Sequence, residues 1–253
     1  MNLAISIRSE YVMRIFGIPI TNTILTSILV TVILGIIAVS FSREVDRPKS
    51  LVSRGLTSLL SEWLARVDAV THDRAMSKRI FSLTATFFLF IFAANVLALV
   101  PGFLGSFYVA TRNARIPLLR SPNTDLSTTL ALAIISVLAT QYYSFKALGM
   151  KNYFGRFINL KSPLTAIIGF FELLSEVTRL VSFSFRLFGN MFAGEVLLLI
   201  CAFILPFVIP LPFMVLELFV GFIQAFIFAT LTLSFIALAT RQAEVTTGKE
   251  VSA

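Results

Sequence analysis

The chain has 253 residues, 57% of them hydrophobic and 26 of them phenylalanine, with a mean hydropathy of +0.89. The apolar residues gather in blocks about twenty residues long, more than a soluble domain can hide, which implies a single polytopic membrane domain spanning 1–253. The 21 Lys+Arg outnumber the 13 Asp+Glu, but most lie between the apolar blocks, where they fix topology and meet anionic lipid headgroups. No basic stripe interleaved with exposed aromatics is present, which argues against nucleic-acid binding.

A short polar leader with Arg8, Glu10 and Arg14 is closed by Pro19, and the first apolar run covers 20–41. It is longer than the core of a signal peptide and ends in a charged stretch, so it reads as an uncleaved helix. Its β-branched residues do not count against helix in lipid, where the backbone must satisfy itself. The loop 42–80 is polar and contains LTSLLSEWLARV, in which Leu56, Leu59, Leu60, Trp63 and Leu64 recur near helical spacing. That pattern predicts an amphipathic helix at the interface, anchored by Trp63.

The second span is 81–100, leaving at Pro101 and Gly102, and the following loop carries Arg112, Arg115 and Arg120 with no acid. The third span is 125–145, opened by Asp125 or a neighbouring hydroxyl as helix cap. A basic connector leads to a fourth helix over 163–207, too long for one upright span and therefore tilted or partly interfacial. Pro206, Pro210 and Pro212 predict a turn, and the last helix covers 211–240. The expected fold is all-α, with about five membrane-embedded helices plus the interfacial one. Placing the loop 42–80, the connector and the tail inside puts 14 Lys/Arg there against 5 outside. This sets the N-terminus outside and the C-terminus in the cytoplasm.

The fourth and fifth helices hold charges that lipid should exclude. Arg186 lies far from either end of its apolar region, where a charge costs about 2.5–3.5 kcal/mol on insertion scales, so it must face protein or water. Asn190 shares its face four residues on, Arg179 lies seven before and Glu172 fourteen before. Glu176 is placed to pair with Arg179. Glu195 lies nine residues beyond Arg186, about 13 Å along a helix, too far to neutralise it directly. Guanidinium stays protonated and cannot relay protons, whereas Glu195 and Glu217 can exchange them. Gln224 follows Glu217 by seven residues and can hydrogen-bond the arginine. Each group also has a structural reading: Arg186 as half of an ion pair, Glu195 and Glu217 as interhelical clamps, Asn190 and Gln224 as packing amides, Asp125 as a cap.

No metal-ligand cluster, phosphate-binding glycine loop or nucleophile elbow is present, and no cofactor or metal is expected. The lone Cys201 permits no internal disulfide. The residues alone point to a proton or ion pathway with a static arginine.

The segment RLFGNMFAGE, from Arg186 to Glu195, closely resembles subunit a of the membrane sector of bacterial-type rotary ATP synthases. The resemblance continues, in family order, through FFLFIFAANVLALVPG, PNTDLSTTLALA, FELLSEVTR and ELFVGFIQAFIFATLTLSFIALA, from about residue 20 to 240. It implies that Arg186 is the stator arginine facing the c-ring carboxylate, with Asn190 and Gln224 beside it. Glu195 and Glu217 would line the outer access path, Asp125 would lie near it, and Glu172 and Arg179 would lie toward the inner exit. It further implies two long helices tilted against the ring and two offset aqueous half-channels. The implied partners are the c-ring, stalk subunit b and the remaining complex, with H+ as the translocated ion and a bacterial inner membrane as location. Leu180 and Ser127 depart from residues common in relatives, without touching the arginine. Competing readings are Na+ as the coupling ion, a secondary transporter using Arg186 as an anion clamp, which would need an inverted repeat, and a structural membrane scaffold.

Overall fold

Lipid cannot hydrogen-bond a peptide group, so each apolar block closes on itself as helix. The computed structural model describes residues 11–15, 18–42, 51–100, 108–111, 114–117, 120–157, 163–205 and 208–247. Six helices carry the fold: α1 (Asn22–Ser42), α2 (Leu51–Thr71), α3 (Arg74–Leu99), α4 (Leu126–Phe157), α5 (Pro163–Ile204) and α6 (Pro210–Thr247). All but α2 are long and apolar enough to cross a membrane. Two short antiparallel hairpins, β1 (Tyr11–Ile15) with β2 (Ile18–Thr21) and β3 (Tyr108–Thr111) with β4 (Ala114–Pro117), occupy the leader and the loop before α4, where only irregular chain is expected. The leader charges Arg8 and Glu10, the exit at Pro101 and Gly102, Arg112 and Pro206 lie outside the described residues.

Several boundaries differ from the sequence expectation for physical reasons. Asp73 accepts the N–H of Ala75 and caps α3, which therefore starts at Arg74 rather than at the first fully apolar residue. Pro210 and Pro212 fall in the first turn of α6, where a missing N–H removes no helical bond. The continuous path of α4 breaks at Gly149, whose φ of +74° suits a residue without a Cβ. Beyond this kink Tyr153 turns back to donate its hydroxyl to Gln141 Oε1 at 2.8 Å.

The core forms where α3, α4 and α5 pack on α6. Ala225 and Ala229 on α6 are fully buried and let neighbouring helices approach closely, and Phe87, Phe228 and Phe183 fill the space around them. Buried hydroxyl pairs tie the layers: Ser136 with Thr232 at 2.7 Å and Thr129 with Ser184 at 3.2 Å. The amphipathic helix α2 lays its apolar stripe on α3 and α6. Trp63 is accordingly buried, not an interface anchor: its ring stacks on Phe88 and its Nε1–H donates to Thr84 Oγ1 at 3.1 Å. An indole that finds both an aromatic face and a hydroxyl partner in the protein has no reason to stay at the headgroups. Helix α1 buries only its first turns, through Asn22, Thr23, Thr26 and Val30, and exposes Ile33, Ile36 and Ile37 farther on.

Helix α5 has 42 residues. At 1.5 Å per residue such a helix is about 60 Å long, roughly twice the hydrocarbon thickness, so it cannot stand upright within the apolar core. Its length carries one face of the chain past three successive polar levels.

Candidate functional site

The middle level holds Arg186. Its side chain is on an exposed face of α5, and Nη2 donates to Ser182 Oγ, one turn back, at 3.1 Å. Among the described residues it makes no ion pair. Asn190, one turn on, donates from Nδ2 to Gln224 Oε1 at 2.8 Å, joining α5 to α6 directly beneath the arginine's face. Gln224 thus holds Asn190, where sequence spacing suggested that it would reach the arginine itself.

The second level lies nine residues farther along α5. Glu195 pairs with Arg120 from the segment before α4: Nε lies 3.2 Å from Oε1 and 3.3 Å from Oε2, and Nη2 lies 3.2 Å from Oε2. Both side chains are largely buried. Glu217, from α6, is 8% exposed and lies against Gly194, where an added Cβ would overlap its carboxylate. Glu195, Glu217, Ser121 and Thr124 border a cavity of about 20 Å³ with Met191 and Leu198, room for about one water molecule.

The segment carrying Arg120 is pinned from three sides. Arg120 N–H donates to Thr26 Oγ1 at 3.2 Å, and Asn123 Nδ2 donates to Asn95 Oδ1 at 2.6 Å. Asn95 in turn donates from Nδ2 to Gly221 O at 3.1 Å, and a Cβ on Gly221 would sit 3.0 Å from that of Asn95, so α3 and α6 meet there because the position is glycine. Asp125 caps α4 by accepting Ser127 N–H at 2.9 Å and also accepts Thr23 Oγ1–H at 2.8 Å. It braces α1 and does not border the small cavity.

The third level lies on the other side of Arg186. Glu172, Glu176 and Arg179 from α5 face Thr140, Gln141 and Ser144 from α4 across a cavity of about 410 Å³. Arg179 Nη1 donates to Glu176 Oε2 at 3.1 Å, the i, i+3 pair expected from the spacing, and its guanidinium lies 3.8 Å from the Phe235 ring centre. Arg179 is thereby fixed by a carboxylate and an aromatic face together.

Sequence reasoning named eight candidates. The structure gathers Glu195 with Glu217, Asn190 with Gln224, and Glu172 with Arg179, leaves Arg186 between these groups, and gives Asp125 to α1 and the start of α4. Sequence reasoning missed Arg120, Asn95 and Asn123. The sequence held only a partial cue for Arg120, a cation in an acid-free loop directly before a span, which it shares with Arg112 and Arg115 and which does not name the partner.

A profile of the ATP synthase A chain family matches residues 24–237, which include every candidate residue. The chain belongs to that family. Proteins named ATP synthase subunit a are similar to it along most of their length. The one from Campylobacter jejuni (strain RM1221) is 32% identical over 212 residues, 82% of this chain and 87% of the relative. That from Helicobacter pylori (strain Shi470) is 30% identical over 217 residues, 83% and 85% respectively. That from Moorella thermoacetica is 28% identical over 235 residues, 91% and 96%. As an ATP synthase subunit a, the chain is an integral membrane protein that works with the rest of the ATP synthase complex.

Proposed function

We propose that this subunit a is the stator of the rotary membrane sector, supplying two offset aqueous half-channels for H+ and the fixed cation that discharges the ring carboxylate. The observation that carries the reading is the position of Arg186: exposed, held only by Ser182 among the described residues, and situated between two carboxylate-bordered cavities at different levels of α5. A cation so placed is available to a group outside the chain.

In this mechanism a proton enters from the outer side past Glu217 and Glu195 and neutralises a carboxylate of the c-ring, which can then turn into lipid at far lower cost than an ion. After most of a revolution the carboxylate reaches the inner half-channel. Arg186 favours its ionised form, and the proton leaves past Glu172 and Arg179 through the larger cavity. The same cation bars a direct leak between the two halves. Each charge crossing gains roughly 2.3 kcal/mol per 100 mV, so several protons pass for each ATP made elsewhere in the complex. Asn190 and Gln224, bonded to each other, keep α5 and α6 in register without cancelling the positive charge. The long helices α5 and α6 lie tilted against the ring, subunit b packs alongside, and the protein sits in a bacterial inner membrane with its N-terminus outside.

Thiol accessibility tests the two channels and the orientation together. With Cys201 replaced by alanine in the assembled complex, Ser175→Cys on the larger cavity is expected to react with a small thiol-reactive cation from the cytoplasmic side alone. Leu198→Cys on the smaller cavity is expected to react from the opposite side alone. Reaction of both from one side, or of either from both, contradicts the offset arrangement.

A further inference from the structure

We propose that Arg120 is a positioning residue of the outer half-channel, clamping Glu195 so that Glu217 is the carboxylate that hands on the proton. The inference rests on the proton-path reading above and divides the labour between its two outer acids.

The two acids border one small cavity but have unlike surroundings. Both oxygens of Glu195 lie within 3.3 Å of Arg120 nitrogens, which fixes the plane of the carboxylate as well as its place. Glu217 makes no ion pair among the described residues, and its Oε1 has no hydrogen-bond partner there. One carboxylate is held by a fork of donors, whereas the other borders the same cavity with a buried oxygen that has no hydrogen-bond partner among the described residues. A proton carrier must release what it binds, and the unclamped acid fits that task.

Fold stability is a weak reason for building such a clamp, although removing one partner alone strands a buried charge. A buried ion pair loses much of its attraction to desolvation, and apolar replacements of similar volume are often as stable. Arg120 is moreover built in from a third element, because its backbone N–H is bonded to Thr26 of α1 and the next acid, Asp125, to Thr23. Helix α1 contributes little else to the core, so these hydroxyls connect an otherwise peripheral helix to the proton path.

The test uses the whole complex in inverted membrane vesicles, with the amount of assembled subunit a and the ATP-driven proton-pumping rate both measured. Arg120→Gln is expected to lower pumping at least about tenfold, since small misplacements of reacting groups cost up to about a hundredfold. Arg120→Lys keeps the cation and is expected to restore a large part of the rate. In a Glu195→Gln background, Arg120→Gln is expected to change the residual rate by less than about twofold, because a residue acting through a partner has nothing left to position. Equal losses in both backgrounds, a lysine variant as poor as the glutamine variant, or loss of Arg120→Gln from assembled complexes would each overturn the proposal. Arg186→Ala measured in the same vesicles separates the two levels. If that variant pumps normally, the proton-path reading itself fails; if it does not pump while the Arg120 variants do, only the positioning role fails.

Discussion

Arg186→Ala is expected to abolish ATP-driven proton pumping and ATP synthesis while leaving subunit a at its normal level in the membrane. The side chain is exposed and bonded within the chain to Ser182 Oγ, so its removal takes away no core contact and strands no buried acid; substitutions of that kind change stability by about 0.5 kcal/mol or less. In lipid the exchange of a cation for a methyl group even favours insertion, by about 2.5–3.5 kcal/mol at mid-membrane. Folding therefore gives no reason for the arginine, and function must. Removing a preorganised charge from a site of charge development costs about a hundredfold to a thousandfold, and pumping should fall by at least that factor. Arg186→Lys should recover little, because a point charge on a flexible stem lacks the planar fork that can hold Ser182 and a carboxylate at once. Normal pumping with either variant would contradict the mechanism.

Glu217→Gln should be nearly as damaging. The amide has almost the same shape and fills the same space, so packing survives, but it cannot bind and release a proton, and loss of a positioned proton carrier costs about a hundredfold or more. Gly194 supplies an independent route to the same site. Because a Cβ there would overlap the Glu217 carboxylate, Gly194→Val should displace the acid without altering its chemistry, lowering proton pumping in the same direction but less completely. Pumping measured in vesicles checks both; a Glu217→Gln complex that pumps at the normal rate would exclude Glu217 from the path.

What the sequence made legible was periodic or local. Five apolar blocks announce five spanning helices because lipid admits no other backbone solution, and the Glu176–Arg179 pair follows from three-residue spacing on one helix. Arg186 stood out because an arginine deep in an apolar block is costly without a use. The parts that stayed hidden depend on residues distant in sequence. Arg120 and Glu195 are 75 positions apart, and Asn95 reaches Gly221 across 126; neither pairing leaves a periodic trace. The burial of Trp63 was hidden for a related reason: an amphipathic stripe looks the same whether it rests on lipid or, as here, on α3 and α6. Gly149 bends α4 at a single backbone position, and the two short strand pairs lie outside the apolar blocks, where hydropathy carries no signal.

In the proposed mechanism the outward face of α5 at Arg186 meets an acidic helix of the rotating ring. Cysteine cross-linking in the assembled complex reads that contact itself. Gly189 has nothing within 4 Å of an added Cβ, and Ala193 is exposed one turn farther on, so Gly189→Cys and Ala193→Cys can be introduced, with Cys201 replaced by alanine, without disturbing the packing. Paired with cysteines flanking the ring carboxylate, oxidation should yield a disulfide-linked product of subunit a and a ring subunit at both positions. Free thiols at both, with the ring fully assembled and its own cysteines reactive, would mean that this face looks onto lipid, and the arginine would then have no carboxylate to meet.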